Sequence, residues 1–459
     1  MSANSNYMNK SRLHVAVFPF PFGTHATPLF NITQKLASFM PDVVFSFFNI
    51  PQSNAKISSD FKNDTINMYD VWDGVPEGYV FKGKPQEDIE LFMLAAPPTL
   101  TEALAKAEVE TGTKVSCILG DAFLWFLEEL AQQKQVPWIT TYMSEEHSLL
   151  AHICTDLIRQ TIGIHEKAEE RKDEELDFIP GLSKIRVQDL PEGIVMGNLD
   201  SYFARMLHQM GRALPRASAV CISSCQELDP VATNELNRKL NKLINVGPLS
   251  LITQSNSLPS GTNKSLGWLD KQESENSVAY VSFGSVARPD ATEITALAQA
   301  LEASQVKFIW SIRDNLKVHL PGGFIENTKD KGMVVSWVPQ TAVLAHKAVG
   351  VFITHFGHNS IMESIASEVP MIGRPFIGEQ KLNGRIVEAK WCIGLVVEGG
   401  VFTKDGVLRS LNKILGSTQG EEMRRNIRDL RLMVDKALSP DGSCNTNLKH
   451  LVDMIVTSN

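Results

Sequence analysis

Short apolar runs alternate with helix-like patterns along most of the chain, in two successive sets. The runs have the length of buried strands, and the segments between them, such as residues 28–39, show the periodicity of helices. The first set predicts strands at 14–20, 42–48, 66–71, 115–119, 138–142 and 219–223. The second set predicts strands at 277–284, 307–312, 333–337, 349–354, 369–373 and 394–397. Strands and helices that alternate in this way indicate parallel sheets with helices on both faces.

A change of composition separates the two sets. Residues 250–264 read SLITQSNSLPSGTNK, a stretch rich in Ser, Asn, Gly and Pro without apolar periodicity, which is typical of a linker. A chain of 459 residues is also too long for one core. We therefore predict an α/β fold of two doubly wound, Rossmann-like domains, at 1–249 and 266–459, with a linker at 250–265 and a cleft between the domains. The charged run 165–177 is interpreted as a solvated helix or loop.

Composition and charge exclude several classes of function. The formal net charge is −8, and the basic residues form no clustered stripe along the sequence, so we expect no nucleic-acid partner. The polar N-terminus lacks the apolar core of a signal peptide, and no apolar run has the length of a membrane span. The six cysteines lack metal-binding spacing and are interpreted as reduced thiols. We therefore expect a cytoplasmic monomer without a bound metal or cofactor.

The stretch from Trp337 to Gln380 carries the densest candidate chemistry. An apolar run ends in a turn, and a helix is predicted to open at Ile361, with Asn359 or Ser360 as its N-cap. A helix that begins where a buried strand ends directs backbone N–H groups at a crevice, which suits an anion. Trp337 flanks a proline and offers a flat indole face to a planar ring.

This stretch resembles, without a gap, the plant secondary-product signature of the UDP-sugar glycosyltransferases. The resemblance implies the GT-B fold, a helix at about 445–457 that crosses back onto the first domain, and a UDP-sugar as co-substrate without a metal. Two positions depart from the pattern: His358 stands where tryptophan is usual, and Glu379 where aspartate is commoner.

The resemblance also implies a role for each polar position of the donor site. Trp337 should stack on uracil, with the Val338 main chain and Gln340 at the edge of the base, and Glu363 at the ribose. The remaining positions are assigned by the same match: His355, Asn359, Ser360 and Ser285 to the phosphates, and Glu379, Gln380, His358 and Met143 to the sugar end.

Two residues at the ends of predicted strands of the first domain are candidates for catalysis. His25 follows the first strand and Asp121 follows the run 115–119, so both belong to the carboxyl edge of one sheet. A carboxylate on one imidazole nitrogen fixes the tautomer while the other nitrogen takes a proton from a hydroxyl. A loop histidine bonded to a carbonyl, or an aspartate that caps the next helix, would explain each residue separately. The matching family positions form a catalytic dyad.

The acceptor is predicted from a second resemblance, to the flavonoid 3-O-glycosyltransferases. Residues 75–92 are similar to that subfamily, and the matched acceptor positions are Gln86, Phe123, His152, Phe203 and Ile377, the last in place of a phenylalanine. A metal shared by His147 and His152 is excluded by spacing, because five helical residues separate them by about 140° around the axis.

The sugar is predicted from Tyr142-Met143, which replaces a Trp-Thr pair common in glucosyltransferases. Met143 removes the hydroxyl that would meet the sugar 6-hydroxyl, which favours the 6-methyl group of rhamnose. Gln380 instead favours glucose. We therefore predict an inverting flavonol 3-O-rhamnosyltransferase, with glucose or galactose as the alternative donor sugar.

A nucleotide-sugar-binding protein without activity is a further alternative. A Rossmann oxidoreductase and a serine hydrolase lack their GxGxxG and GxSxG motifs.

Overall fold

Two parallel β-sheets form the frame of the protein. The computed structural model describes residues 12–60, 65–84, 86–252, 264–284 and 287–457. The first sheet has the order β3-β2-β1-β4-β5-β6-β7. Its strands are β1 (His14–Phe18), β2 (Val44–Asn49), β3 (Ile66–Asp70), β4 (Cys117–Asp121), β5 (Trp138–Tyr142), β6 (Ala219–Ile222) and β7 (Leu243–Asn245).

The second sheet is also entirely parallel, with the order β10-β9-β8-β11-β12-β13. Its strands are β8 (Val278–Val281), β9 (Lys307–Ser311), β10 (Gly332–Val335), β11 (Val349–Thr354), β12 (Met371–Gly373) and β13 (Gly394–Val396). In both sheets the strand order reverses beside the first strand, which creates a crevice at the carboxyl ends of the strands.

Helices connect the strands of each sheet. Those of the N-terminal domain are α1 (Ala26–Phe39), α2 (Pro51–Asp60), α3 (Glu87–Thr111), α4 (Leu127–Lys134), α5 (Glu146–Ile153), α6 (Thr155–Ile162), α7 (Glu166–Glu170), α8 (Tyr202–Ala213), α9 (Pro230–Lys239) and α10 (Leu249–Ile252). Those of the C-terminal domain are α11 (Lys264–Leu269), α12 (Ala291–Ser304), α13 (Phe324–Asn327), α14 (Gln340–Leu344), α15 (His358–Ala366), α16 (Gln380–Arg385), α17 (Lys404–Gly416), α18 (Thr418–Leu438) and α19 (Ser443–Thr457). Shorter turns are 3₁₀ at Val187–Asp189, Leu214–Arg216, Asp314–His319 and Glu398–Gly400, and π-helical at Ile386–Lys390.

The predicted fold class is confirmed, and each predicted strand is present with ends that differ by a few residues. The sequence missed β7, because three residues at the edge of the sheet are too short a run to show a pattern. Residues 253–263 of the predicted linker lie outside the described residues, and α10 and α11 stand on either side of them.

The last helix packs on the first domain. Leu448, Leu451 and Ile455 of α19 are buried in the apolar cluster that contains Val15 and Leu29. Asn447 Nδ2 also donates to the carbonyl oxygen of Asn245 at 2.9 Å. The chain therefore returns to the N-terminal domain after it has completed the C-terminal one.

Two global properties bear on the sequence predictions. The six cysteines carry no disulfide, and five of them are buried. In the part of the chain that the structure describes, no helix is both long and apolar enough to cross a membrane.

Candidate active site

His25 and Asp121 meet at the carboxyl edge of the first sheet. Strands β1 and β4 are adjacent and parallel, with Phe18 paired to Gly120, so the loops that follow them lie side by side. Asp121 ends β4, and His25 is the N-cap residue of α1. His25 Nδ1 lies 2.8 Å from Asp121 Oδ2.

Asp121 also fixes the turn that follows its strand. Its other oxygen, Oδ1, accepts the backbone N–H of Phe123 at 2.9 Å. Helix α4 begins only at Leu127, so Asp121 stabilises a turn and does not cap that helix. The two bonds hold a carboxylate that is only 1% exposed.

The electrostatic environment of His25 favours the protonated ring. Burial lowers the pKa of His25, but the carboxylates of Asp121 and, more weakly, Glu379 outweigh burial, and the net pKa is raised. Since Nδ1–H donates to Asp121, the lone pair of the neutral ring is on Nε2. The His25 side chain is 20% exposed, so this nitrogen can meet a bound hydroxyl.

Aromatic rings surround the imidazole. The Phe123 ring centroid lies 4.7 Å from that of His25, and the Phe20 centroid lies at 5.3 Å. Phe203, at the start of α8, contacts Phe123 edge-on at 6.0 Å. Sequence reasoning named Phe123 and Phe203 but missed Phe20, whose only signal is its place between β1 and His25. These rings offer a flat apolar wall beside the histidine.

The other three predicted acceptor residues differ in exposure. Gln86 is exposed at the N-terminus of α3, and Ile377 is exposed in the loop before α16. His152 is buried and faces a small cavity with Leu207 and His208. Burial, followed by His208, lowers the pKa of His152 to about 4, so its ring is neutral at physiological pH. None of the described contacts joins these three residues to the dyad.

The N-terminus of α15 forms the predicted anion site, although it begins earlier than predicted. The helix starts at His358, with Gly357 as N-cap and no side-chain cap, so Asn359 and Ser360 lie in the first turn. Glycine is required there, because a Cβ on Gly357 would come within 2.4 Å of His355 Nε2. The first-turn N–H groups and the helix dipole favour a negative charge.

His355 lies directly before this helix. A Cβ on Gly284 would come within 2.9 Å of His355 Cε1, so the ring is enclosed by the two glycines. Burial lowers the pKa of His355 to about 4. His355 can therefore offer a neutral N–H to a phosphate but no positive charge. Ser285, also predicted to bind phosphate, lies outside the described residues.

A hydrogen-bonded network joins the predicted base and ribose ends of the site. Gln340 Nε2 donates to Glu363 Oε2 at 2.6 Å and to Ser360 Oγ at 3.2 Å. Its Oε1 accepts the hydroxyl of Tyr280 at 3.0 Å. Burial raises the pKa of Glu363, and the bond from Gln340 partly opposes this effect. The side chain of Gln340 thus orients Glu363.

The residues predicted to flank this network differ in exposure. Trp337 is 68% exposed, which leaves its indole face open, whereas Val338 is buried. A ligand ring can therefore stack on Trp337 without displacing other side chains.

Gln380 and Glu379 open helix α16. Gln380 Oε1 accepts the backbone N–H groups of Phe376 at 2.8 Å and Ile377 at 3.2 Å, which leaves its amide N–H groups as donors to a ligand. Burial raises the pKa of Glu379, and His25 opposes the effect, so the two groups interact across the cleft. Met143, after β5, is half-buried and packs against the apolar cluster of the first domain.

The side chain of His358 makes a contact between the two domains. Its Nε2 lies 2.8 Å from the carbonyl oxygen of Ser223, which follows β6 in the other domain. The ring is 5% exposed, and burial lowers its pKa. The imidazole is thus engaged at the domain interface, and its effect on the sugar end of the site stays a prediction.

A buried group of charges lies nearby. His147 Nδ1 is 2.6 Å from Glu145 Oε2, and His147 Nε2 is 2.6 Å from Asp229 Oδ2. Lys390 of the C-terminal domain contacts Asp229 and has its Nζ 2.8 Å from His147 Nε2. Burial lowers the pKa of His147, but the two carboxylates raise it to about 9. With both ring nitrogens donating to carboxylates, the partner of Lys390 is Asp229. This group could not be predicted from the sequence, because Asp229 and Lys390 are far from Glu145 and His147 in the chain.

Within the described ranges, no three His, Cys, Asp or Glu residues are arranged to hold a metal ion. His147 and His152 face different surroundings, since one ring is held by carboxylates and the other lines a cavity.

Comparison with known proteins assigns the family. The family model for UDP-glucoronosyl and UDP-glucosyl transferases matches residues 91–440. The chain is 50% identical to an anthocyanidin 3-O-glucosyltransferase of Vitis vinifera, with 96% of this chain and 97% of the relative covered. It is 48% identical to a flavonol 3-O-glucosyltransferase of Arabidopsis thaliana, with the same coverage.

A solved structure agrees with these relatives. The crystal structure of a UDP-glucose:anthocyanidin 3-O-glucosyltransferase in complex with UDP superimposes with a TM-score of 0.91 at 40% identity, covering 98% of this chain and all of that one. This chain belongs to the UDP-glucoronosyl and UDP-glucosyl transferase family. The resemblance predicted from the sequence is confirmed.

The raised pKa of His25 predicts the pH dependence of catalysis. If neutral His25 is the base, kcat/KM should rise with pH along a limb centred above 6.5, the ordinary histidine value. Asp121→Asn should move that limb to lower pH and lower the plateau by roughly 10² to 10⁴-fold, because the ring loses the carboxylate that holds its tautomer. The measurement is a pH profile of both proteins, and an unmoved limb in the variant would exclude Asp121 as the source of the shift.

The open indole and the Gln340 network predict where UDP binds. Trp337→Ala and Glu363→Ala should each weaken UDP binding by about 1 to 3 kcal/mol, through lost stacking and lost ribose hydrogen bonds. Calorimetric titration with UDP measures both effects. Trp72→Ala is the matched control, because Trp72 is also an exposed indole, 51% accessible, but lies in the N-terminal domain. Equal losses in all three variants would contradict the placement.

The pKa of His147 predicts a loss of stability at alkaline pH. Since folding raises this pKa from 6.5 to about 9, the contribution is fully present below pH 6.5 and is lost as pH rises through about 9. The difference in unfolding free energy between the wild type and His147→Gln should shrink over that range by on the order of 3 kcal/mol. Denaturant titrations at several pH values measure it. His14→Gln is the control, because burial lowers the pKa of His14; the same alkaline change there would contradict the assignment.

Proposed function

We propose that this protein is an inverting glycosyltransferase that transfers glucose from UDP-glucose to the 3-hydroxyl of a flavonoid, with flavonols as the preferred acceptors. The observation that carries the proposal is the His25–Asp121 pair, 2.8 Å apart and bordered by aromatic rings, at the mouth of the first sheet.

The proposed reaction follows from this geometry. His25 Nε2 takes the proton of the acceptor hydroxyl, and the Asp121 carboxylate stabilises the imidazolium that forms. The acceptor oxygen forms a bond to the anomeric carbon from the side opposite UDP, and the bond from that carbon to the diphosphate oxygen breaks. The N-terminus of α15 stabilises the charge that develops on the departing UDP. Attack from the opposite side inverts the configuration.

The acceptor is inferred from the rings around His25 and from the relatives. Phe20, Phe123 and Phe203 provide an apolar wall of the kind that a planar polyphenol fits. The two relatives described above are named for 3-O-transfer to anthocyanidins and flavonols.

Glucose is proposed in preference to the rhamnose predicted from the sequence. Both relatives are named as glucosyltransferases, and the rhamnose prediction gains no support from them. Gln380 keeps its amide N–H groups as donors to sugar hydroxyls. Met143 packs against an apolar cluster, so its side chain has a structural role in addition to any contact with the sugar.

Loss of the proposed base should abolish transfer. His25→Ala should lower the transfer rate by roughly 10² to 10⁴-fold and leave UDP affinity nearly unchanged, because His25 lies in the domain opposite the predicted UDP site. Product formation from UDP-glucose and a flavonol, with UDP titration of the same protein, measures both quantities. A wild type that binds UDP but forms no glucoside would support the alternative of a nucleotide-sugar-binding protein.

Competition between donors tests the sugar. With equal UDP-glucose, UDP-galactose and UDP-rhamnose and one flavonol, we expect the 3-O-glucoside to predominate, identified by mass spectrometry and NMR. A predominant rhamnoside would instead restore the interpretation of Met143 as a 6-methyl contact. In that case Met143→Thr should raise the share of glucoside, whereas under the present proposal it should leave that share high.

A further inference from the structure

Four ionisable residues form a continuous connection between the two domains. Glu145 Oε2 contacts His147 Nδ1 at 2.6 Å, and His147 Nε2 contacts Asp229 Oδ2 at 2.6 Å. Asp229 in turn contacts the ammonium group of Lys390. The first three side chains are between 1% and 5% exposed, and Lys390 is 22% exposed. We call this set the charge relay.

Helix N-termini hold both carboxylates of the charge relay in place. Glu145 caps α5 by accepting the N–H groups of His147 at 2.7 Å and Ser148 at 3.0 Å. Asp229 caps α9 by accepting the N–H groups of Val231 and Ala232 through Oδ1, which leaves Oδ2 for His147 and Lys390. Capping fixes the rotamers, so the charge relay is rigid.

A π turn places Lys390 at the end of the charge relay. Residues Ile386–Lys390 form this turn directly after α16, and the N–H of Trp391 donates to the carbonyl oxygen of Ile386, five residues back, at 2.8 Å. π-Helices are rare, occur mostly as single turns, and are frequently found at functional sites. Leu382 of α16 and Ile386 of the π turn are buried in the same apolar cluster as Leu150 of α5 and Leu236 of α9, so both elements pack against the N-terminal domain.

The charge relay connects the loop of Met143 with the helical segment that begins at Glu379 and Gln380. Glu145 lies two residues after Met143, and Lys390 follows the helix that Glu379 and Gln380 open. We propose that Lys390 is a positioning residue that sets the distance between these loops, and thereby the discrimination between donor sugars. This inference rests on the proposed function. Arg385, at the end of α16, also contacts the N-terminal domain, through the Lys184 carbonyl oxygen at 2.7 Å and the carboxylates of Glu175 at 3.3 Å and Asp189 at 3.6 Å. None of these three partners belongs to the charge relay.

Loss of the Lys390 ammonium group should displace the neighbouring segment and lower the transfer rate. Replacement by an apolar residue leaves the buried Asp229 carboxylate without its partner from the other domain, so the segment is no longer drawn toward α9. A misplacement of about 1 Å in a transfer site can lower the rate roughly 10²-fold. The loops would separate while the predicted UDP contacts, which lie within the C-terminal domain, stay intact.

The test compares three variants with the wild type. Lys390→Met removes the charge at similar length, Lys390→Arg keeps it, and Lys134→Met is the matched control. Lys134 also pairs with a carboxylate at short range, Glu108 at 2.6 Å, but both residues lie in the N-terminal domain. The readouts are UDP affinity by calorimetry, kcat for flavonol glucosylation, and the ratio of kcat/KM for UDP-glucose to that for UDP-galactose.

We expect Lys390→Met to lower kcat by on the order of 10 to 100-fold and to bring the donor ratio closer to one, with UDP affinity unchanged. Lys390→Arg should keep kcat and the donor ratio near the wild-type values, and Lys134→Met should change neither. If the methionine variant does not fold, Lys390→Gln takes its place in the comparison with the wild type. Glutamine also removes the positive charge, but it keeps a neutral N–H donor for Asp229.

Two outcomes would overturn the inference while the proposed function stands. One is a Lys390→Met protein with wild-type kcat and donor ratio, whatever its thermal stability. The other is a loss of UDP affinity as large as the loss of kcat, since the effect would then be on the donor domain itself. A wild type that glucosylates no flavonoid would overturn the proposed function first, and the inference with it.

Discussion

The direction of the strands is the constraint on which the rest of the structure depends. When all strands of a sheet are parallel, every connection must return along a face, and the loops that leave the carboxyl ends gather at one edge. His25 and Asp121 are 96 residues apart, yet they meet because β1 and β4 are neighbours. The anion site at α15 arises in the same way at the end of β11.

The sequence was a good guide wherever a feature depends on residues close together in the chain. Buried runs revealed the strands, and the positions of His25 and Asp121 after two of them indicated one edge of the sheet, while the family resemblance implied that the two residues pair. The start of α15 was misplaced because the choice of Gly357 as N-cap depends on the ring of His355 packing above it, which periodicity does not show.

Features that join distant segments could not be predicted from the sequence. The ring of His358 bonds a carbonyl 135 residues away in the other domain, and the charge relay brings Lys390 to an aspartate 161 residues earlier. The prediction of the donor sugar from Met143 is limited in the same way. Its chemistry suggested a contact with a sugar methyl group, but in the fold it also fills an apolar cluster that the local sequence does not define.

The return of α19 to the N-terminal domain has a consequence for biosynthesis. Leu448, Leu451 and Ile455 complete an apolar core whose other members include Val15 and Leu29, so residues synthesised early are packed by residues synthesised much later. That core cannot close until α19 has left the ribosome, and until then its apolar surface stays accessible to chaperones. The two domains are therefore separate in architecture but become stable together.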